Sequence, residues 1–322
     1  MAWGILAVVG LCGNGRAWGV TCVSQGQMTA AQRSELEQAS RNLGLLIQRG
    51  DVAAVKASTL PKVASQFDGI ASGIQGASPL MQGSTLTIEQ LFLLDASDLK
   101  QDQDTQFFCG VGGTGSEVTL SFRQLPPGRF ALALLHATGV AHPQQMALVL
   151  ANDAGWKLAG FYARPMEYLG HDGVWYWVKA REFVKKKQNW NAYFYYQTAQ
   201  YLLTPVDFLS SSNLEKLQTE QSGVAPAGLP GVQPMMVTAN GQSWPITSLR
   251  TDASLGGLDL VIHYRETTAL DPVGSRQKAT NLMKAMLAEH PELREGFHGL
   301  WVYSDLPEQR SFAVELPMNQ IP

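Results

Sequence analysis

Between Thr85 and Tyr162 the chain runs through six strand-like segments, several joined by turns too short for a crossover, and this commits the stretch to antiparallel sheet. Parallel neighbours need a dozen or more connecting residues, which tight turns cannot supply. Thr85–Leu94 alternates and then turns wholly apolar; Thr105–Val111, Ser116–Arg123, Arg129–Ala137, Met146–Ala151 and Trp156–Tyr162 follow. Pro126-Pro127-Gly128 and Asn152-Asp153-Ala154-Gly155 carry turn residues, so the last four runs are expected to form one meander. Helices come first. Thr29 is placed to cap a helix reaching Gln48, with Leu36, Ala39, Leu43 and Ile47 at helical spacing. Gly50-Asp51 ends it and starts a short helix, Val52–Ser58. Phe67–Gly83 is broken by Gly69, Gly73 and Gly76 too often to promise a long helix. Helices followed by a curled antiparallel sheet make an α+β plan.

Composition narrows the function classes. Lys+Arg 24 against Asp+Glu 27 gives a net charge of −3, which leaves no overall electrostatic case for nucleic acid. No apolar run approaches the roughly 20 residues that span a bilayer as a helix. At 45% hydrophobic and 16% charged, the 322 residues describe a globular chain with room for two or three domains.

Residues 1–19 read as an export signal. Ile5–Cys12 is a short apolar core, Gly13-Asn14-Gly15 ends it, and Ala17-Trp18-Gly19 offers small residues for cleavage. No Lys or Arg precedes the core, which departs from the usual pattern. The expected location is periplasmic or extracellular, in a bacterial-type envelope. Cleavage after Gly19 leaves Cys22 and Cys109, which can pair in an oxidising compartment. The alternative is that Cys109 is simply a small buried hydrophobe.

The closing phrase Ala147–Pro165 (ALVLANDAGWKLAGFYARP) and the corner Leu46–Val55 (LIQRGDVAAV) resemble the NTF2-like (SnoaL-like) cone fold over about residues 25–165. The resemblance implies a pocket in this domain and says nothing of its contents. That family is divided between enzymes and binding modules. Ala180, Phe183, Ala192, Tyr196 and Ala199 next match the small and aromatic packing positions of a tetratricopeptide repeat of about 34 residues, here over residues 173–206. Tyr176 stands where the repeat favours Trp, Lys187-Gln188-Asn189 supplies the turn, and Pro205 comes one place later than the repeat's terminal proline. No second copy follows. A lone repeat cannot bury its own face, so the hairpin is expected to dock on the first domain. Trp175, Trp177 and Trp190 are then left as candidate partner-binding residues.

Ser222–Pro234, with Pro226, Pro230 and Pro234 among its glycines, reads as an extended linker. Beyond it, strands Trp244–Arg250 and Leu258–Tyr264, helix Asp271–His290 and strands Gly299–Tyr303 and Arg310–Leu316 give a small ββαββ domain. Pro291 ends the helix because it cannot continue the ladder. The expected division is therefore residues 1–19, 20–165, 166–221, 222–234 and 235–322.

No motif declares a chemistry. Gly110–Gly115 precedes another strand, so no helix N-terminus faces a phosphate there, and the run reads as a hairpin loop. The histidines 136, 142, 171, 263, 290 and 298 show no metal-ligand spacing. No G-x-S-x-G elbow is present. The lysines and arginine between Lys179 and Lys187 lie among aromatics, but those aromatics match repeat packing and the charges suit the end of a helix. These readings favour an exported envelope protein that binds or scaffolds without catalysis, with no metal or cofactor. Its partner would be another envelope protein or a small ligand in the first domain. The rival is an isomerase- or hydrolase-like enzyme with its site in the cone and Asp95 or Asp98 as proton acceptor.

Overall fold

The computed structural model describes residues 19–111, 116–268, 271–307 and 310–322. The apolar segment Ile5–Cys12 and most of the Gly110–Gly115 loop lie outside them. The chain mixes helix and sheet, and among the described residues no helix is long and apolar enough to cross a membrane.

The first half contains strand β1 (Thr21–Ser24), helices α1 (Ala30–Gln48), α2 (Val52–Ala57), α3 (Pro61–Ala64) and α4 (Asp68–Met81), and strands β2 (Thr85–Asp95), β3 (Gln103–Val111), β4 (Ser116–Leu125), β5 (Arg129–Thr138), β6 (Gln144–Asn152) and β7 (Trp156–Pro165). A capping box starts α1: the Thr29 hydroxyl accepts from the Gln32 N–H at 3.2 Å, and the Gln32 amide oxygen accepts from the Thr29 N–H at 3.0 Å. Its face Leu36, Leu43 and Ile47 is buried on an antiparallel sheet of order β1-β2-β5-β6-β7. The glycine-broken stretch does form a helix, α4. It lies on the Phe161 ring at Gly73, where even a Cβ would be in ordinary contact at 3.5 Å, and Ile74, Ala77 and Met81 are buried against the same core. Burial of that face outweighs the helix propensity lost at three glycines.

The second face of this sheet explains why Thr85–Leu94 turns apolar at its end. Leu91 and Leu93 meet the helices, while Phe92 and Leu94 meet Phe107, Cys109 and Leu120 of a second sheet. That second sheet corrects the expected meander. β5, β6 and β7 do form one, but β4 pairs with β3, and the strand beside β5 is β2. Pro126 and Pro127 withhold two ladder donors, and Gly128 at φ 147° redirects the chain, so the turn carries it from one sheet to the other.

After the short strands β8 (Glu167–Tyr168) and β9 (His171–Asp172) come helices α5 (Gly173–Lys185) and α6 (Asn189–Leu203), strand β10 (Leu209–Ser211) and helix α7 (Ser212–Gly223). β10 pairs with β4 and completes the second sheet in the order β10-β4-β3. Ala180, Ala192 and Ala199 are fully buried between α5 and α6, and Phe183 and Tyr196 fill the remaining space. The end of the chain adds strands β11 (Met235–Ala239), β12 (Gln242–Asp252) and β13 (Asp259–Arg265), helices α8 (Pro272–Glu289) and α9 (Leu293–Gly296), and strands β14 (Gly299–Asp305) and β15 (Phe312–Pro317). The order is therefore βββααββ, with a strand and a short helix, α9, more than expected; the extra strand arises because the chain pairs as soon as the proline stretch ends at Pro234. β13 and β14 are parallel, with α8 in the crossover between them.

The hairpin does not dock mainly on the first sheet. Phe194, Tyr195 and Leu202 of α6 share one core with Trp244, Ile246, Leu260, Ile262 and Leu300 of the carboxyl sheet and with Leu282, Met283 and Met286 of α8. Nine of the 15 residues of α6 are buried, because it has α5 on one side and the carboxyl sheet on another. Its link to the first sheet is polar: the Gln145 amide donates to the Leu202 carbonyl at 2.6 Å, and Arg164 donates to the Thr204 carbonyl at 2.7 Å.

Candidate functional site

A groove of about 1120 Å³ opens between the two sheets of the first half. The second sheet has three strands against five in the first, and the groove opens over β7 and the Val149 position of β6. Phe130 and Val149 line one side and Phe122 the other, with Leu60, Tyr162 and Phe208 at the open end. The aromatics are continuous. Phe107 meets Phe122 edge-on at 6.0 Å, Phe122 meets Phe208 at 4.8 Å, and Tyr162 meets Phe208 edge-on at 5.6 Å. Ala159 and Gly160 keep the β7 side low, and a bulge at Val149/Leu150 bends the sheet there.

The polar groups of the groove are at its margins. Asp207 is held by Arg164 at 2.6 Å, and Asp104 accepts from the Gln124 N–H at 3.0 Å. Burial, and then the neighbouring Asp207 charge, push the Tyr162 hydroxyl above its usual range. Lys62 and Arg123 are exposed cations on the lining. The helix-covered face of the first sheet is filled by Leu36, Ile74, Leu135 and Leu148, so the groove lies on the opposite face. Asp95 and Asp98 do not line it. Asp95 is half-buried at the end of β2 and accepts from the Ser97 N–H at 2.9 Å, while Asp98 is exposed beside a smaller pocket of about 380 Å³.

Cys22 and Cys109 are joined by a disulfide, with Cα atoms 5.3 Å apart. It connects β1 to β3, each the terminal strand of its sheet, and so fixes the two groove walls to one another at that edge.

The three tryptophans do not share a surface. Trp175 is 38% exposed and stacks on His171 at 3.8 Å. Trp190, expected as a partner contact, is a core residue at 7% exposure, packed against His290 at 4.0 Å and Phe194 at 5.9 Å. It is covered because α6 is the central helix. Trp177 is engaged within the molecule. Its indole N–H donates to Glu220 of α7 at 2.8 Å, and Arg181 lies over its ring at 4.7 Å.

Glu220 also accepts two bonds from Arg181, each 2.7 Å, and one from the Tyr196 hydroxyl at 3.2 Å. The Arg181 bonds, followed by those from Trp177, outweigh the cost of burial and hold this carboxyl down to about 2. A depressed carboxyl stabilises the fold above its unfolded value of about 4.3 and ceases to do so as pH falls through the folded one. Tryptophan emission is therefore expected to shift between pH about 4.3 and about 2, and Glu220→Gln should remove that transition. An unchanged acid transition in the variant would assign it to other groups. Salt should weaken the effect, since Arg181 is partly exposed.

The aromatic groove was not legible in advance, because Phe122, Tyr162 and Phe208 come from three distant segments and none belongs to a motif. Comparison with protein-family models, with curated proteins and with solved structures gives no match for this chain.

Proposed function

We propose that this is an exported binding protein that holds an apolar ligand in the groove between its two amino-terminal sheets. The continuous aromatic wall Phe122–Phe208–Tyr162, backed by the buried Phe107, carries the reading. Burying an apolar molecule there gains roughly 25 cal/mol for each Å² removed from water. A ligand with an anionic end fits best, because Lys62 and Arg123 supply exposed positive charge on the lining, while of its two carboxylates Asp207 is paired with Arg164. Binding is favoured over catalysis because both carboxylates on the lining are already held in hydrogen bonds. Export is supported by the Cys22–Cys109 disulfide, since such bonds persist in oxidising compartments.

The test uses anilinonaphthalene sulfonate, an apolar ring system with one anionic group. One saturable site per chain is expected, displaced by long-chain fatty acids. Ala159→Phe fills the groove and should weaken probe binding by about tenfold or more, the loss of roughly 1.4 kcal/mol or more of contact. Arg123→Glu should weaken it less and with a salt dependence. Unchanged binding in Ala159→Phe, with the variant folded, would sink the proposal.

A further inference from the structure

The carboxyl sheet gathers three metal-capable side chains that are far apart in sequence. Asp259 opens β13, His298 immediately precedes β14, and Glu315 lies on β15. One donor atom from each lies within 4.8 Å of the others. Asp259 is 1% exposed. Its Oδ1 is 3.2 Å from His298 Nδ1, while Oδ2 is buried with no hydrogen-bond partner among the described residues. Glu315 Oε1 is buried and unpartnered in the same way. Carboxylate oxygens taken from water without a donor are costly, and both carboxylates of this cluster carry one.

The backbone leaves room for the cluster. A Cβ at Gly299 would stand 2.8 Å from Glu315 Oε1 and 2.9 Å from Asp259 Oδ1, inside contact distance. A Cβ at Gly257 would stand 2.3 Å from the His298 ring. Glycine at both positions is what lets the two carboxylates and the imidazole approach. His298 is fixed by its own backbone, which donates to the Leu258 carbonyl and accepts from the Met318 N–H, both at 2.8 Å. Burial pushes both carboxyls above their usual range, and the Asp259 charge raises Glu315 further. Asp252, across from Asp259 on β12, brings another negative charge but is occupied by Arg250 and Ser254.

We propose that Asp259, His298 and Glu315 bind a divalent cation of the zinc and manganese class. One imidazole and two carboxylates suit that class, whereas calcium and magnesium favour sites built entirely of oxygen. Three protein ligands leave at least one coordination position open. The opening is on the His298 side, where the ring is 49% exposed. The cation would supply the positive charge that both unpartnered oxygens lack, and would clamp β13 to β15 across β14.

Calorimetric titration of zinc and manganese into the full chain tests this. One saturable site per chain is expected, with a raised thermal midpoint, and magnesium and calcium should compete poorly. Glu315→Gln and His298→Ala should each weaken binding by about tenfold or more. Glu315→Gln removes one of two facing carboxylates, so the metal-free variant should stay folded by circular dichroism. If it does not, His298→Ala changes a half-exposed ring and carries the test alone. Absence of saturable binding overturns the proposal. Binding left unchanged by the substitutions does too, since it would place the metal on other histidines.

Discussion

Replacing Cys22 and Cys109 with serine is expected to lower the unfolding free energy by about 4–5 kcal/mol, the chain-entropy value for so long a loop. The cross-link closes a span of 87 residues, and that span contains α1 to α4 and β2. Without it the unfolded chain regains the freedom to separate the two ends, while the folded state loses little contact. Serine adds a second cost at position 109, where the sulfur is fully buried among Phe107, Leu120 and Phe92 and a hydroxyl would need a partner. Urea denaturation of the wild type, the double variant and the wild type with reductant measures the effect. A loss below about 1 kcal/mol would show that β1 and β3 are held together by packing alone, in conflict with the loop-closure argument. Because the bond joins the edges of the two groove walls, probe binding should fall along with stability.

The elements with strong local signals were legible in the sequence, and the way they pair was not. Thr29 and the Leu36–Leu43–Ile47 face define α1 without help from the rest of the chain. β4 shows the opposite. Its residues read as strand, but whether it continues the meander depends on a turn whose Pro126 and Pro127 can either reverse the chain or pass it to another sheet. The hairpin behaves likewise. The small residues Ala180, Ala192 and Ala199 fix how α5 meets α6, yet nothing local says that α6 will have its other face against Trp244 and Ile262. Sites suffer most from this. Asp259, His298 and Glu315 come together only because β13, β14 and β15 are neighbours in one sheet, and sheet order is a tertiary fact. Cys22 and Cys109 were easier, because cleavage of the export segment would leave only those two cysteines.

Truncating Trp190 to alanine is expected to cost about 3–5 kcal/mol, the range for a buried aromatic, and to leave any partner surface intact. The ring is 7% exposed, lies 4.0 Å from His290 at the end of α8, and stands beside Phe194, which meets Phe297 at 6.2 Å. It therefore joins the hairpin to the carboxyl sheet, and its loss opens a cavity at the junction of α6, α8 and α9. Loss of stability there should be cooperative over the whole of that core, because Tyr176, Trp244 and Met286 belong to one packed cluster. Trp175→Ala is the control. That ring is 38% exposed and rests on His171, so its removal should change stability by about 1 kcal/mol or less. Thermal or urea melts of the two variants separate these roles. If Trp190→Ala kept wild-type stability while Trp175→Ala lost several kcal/mol, the hairpin would not be built into the carboxyl core as the packing of α6 requires.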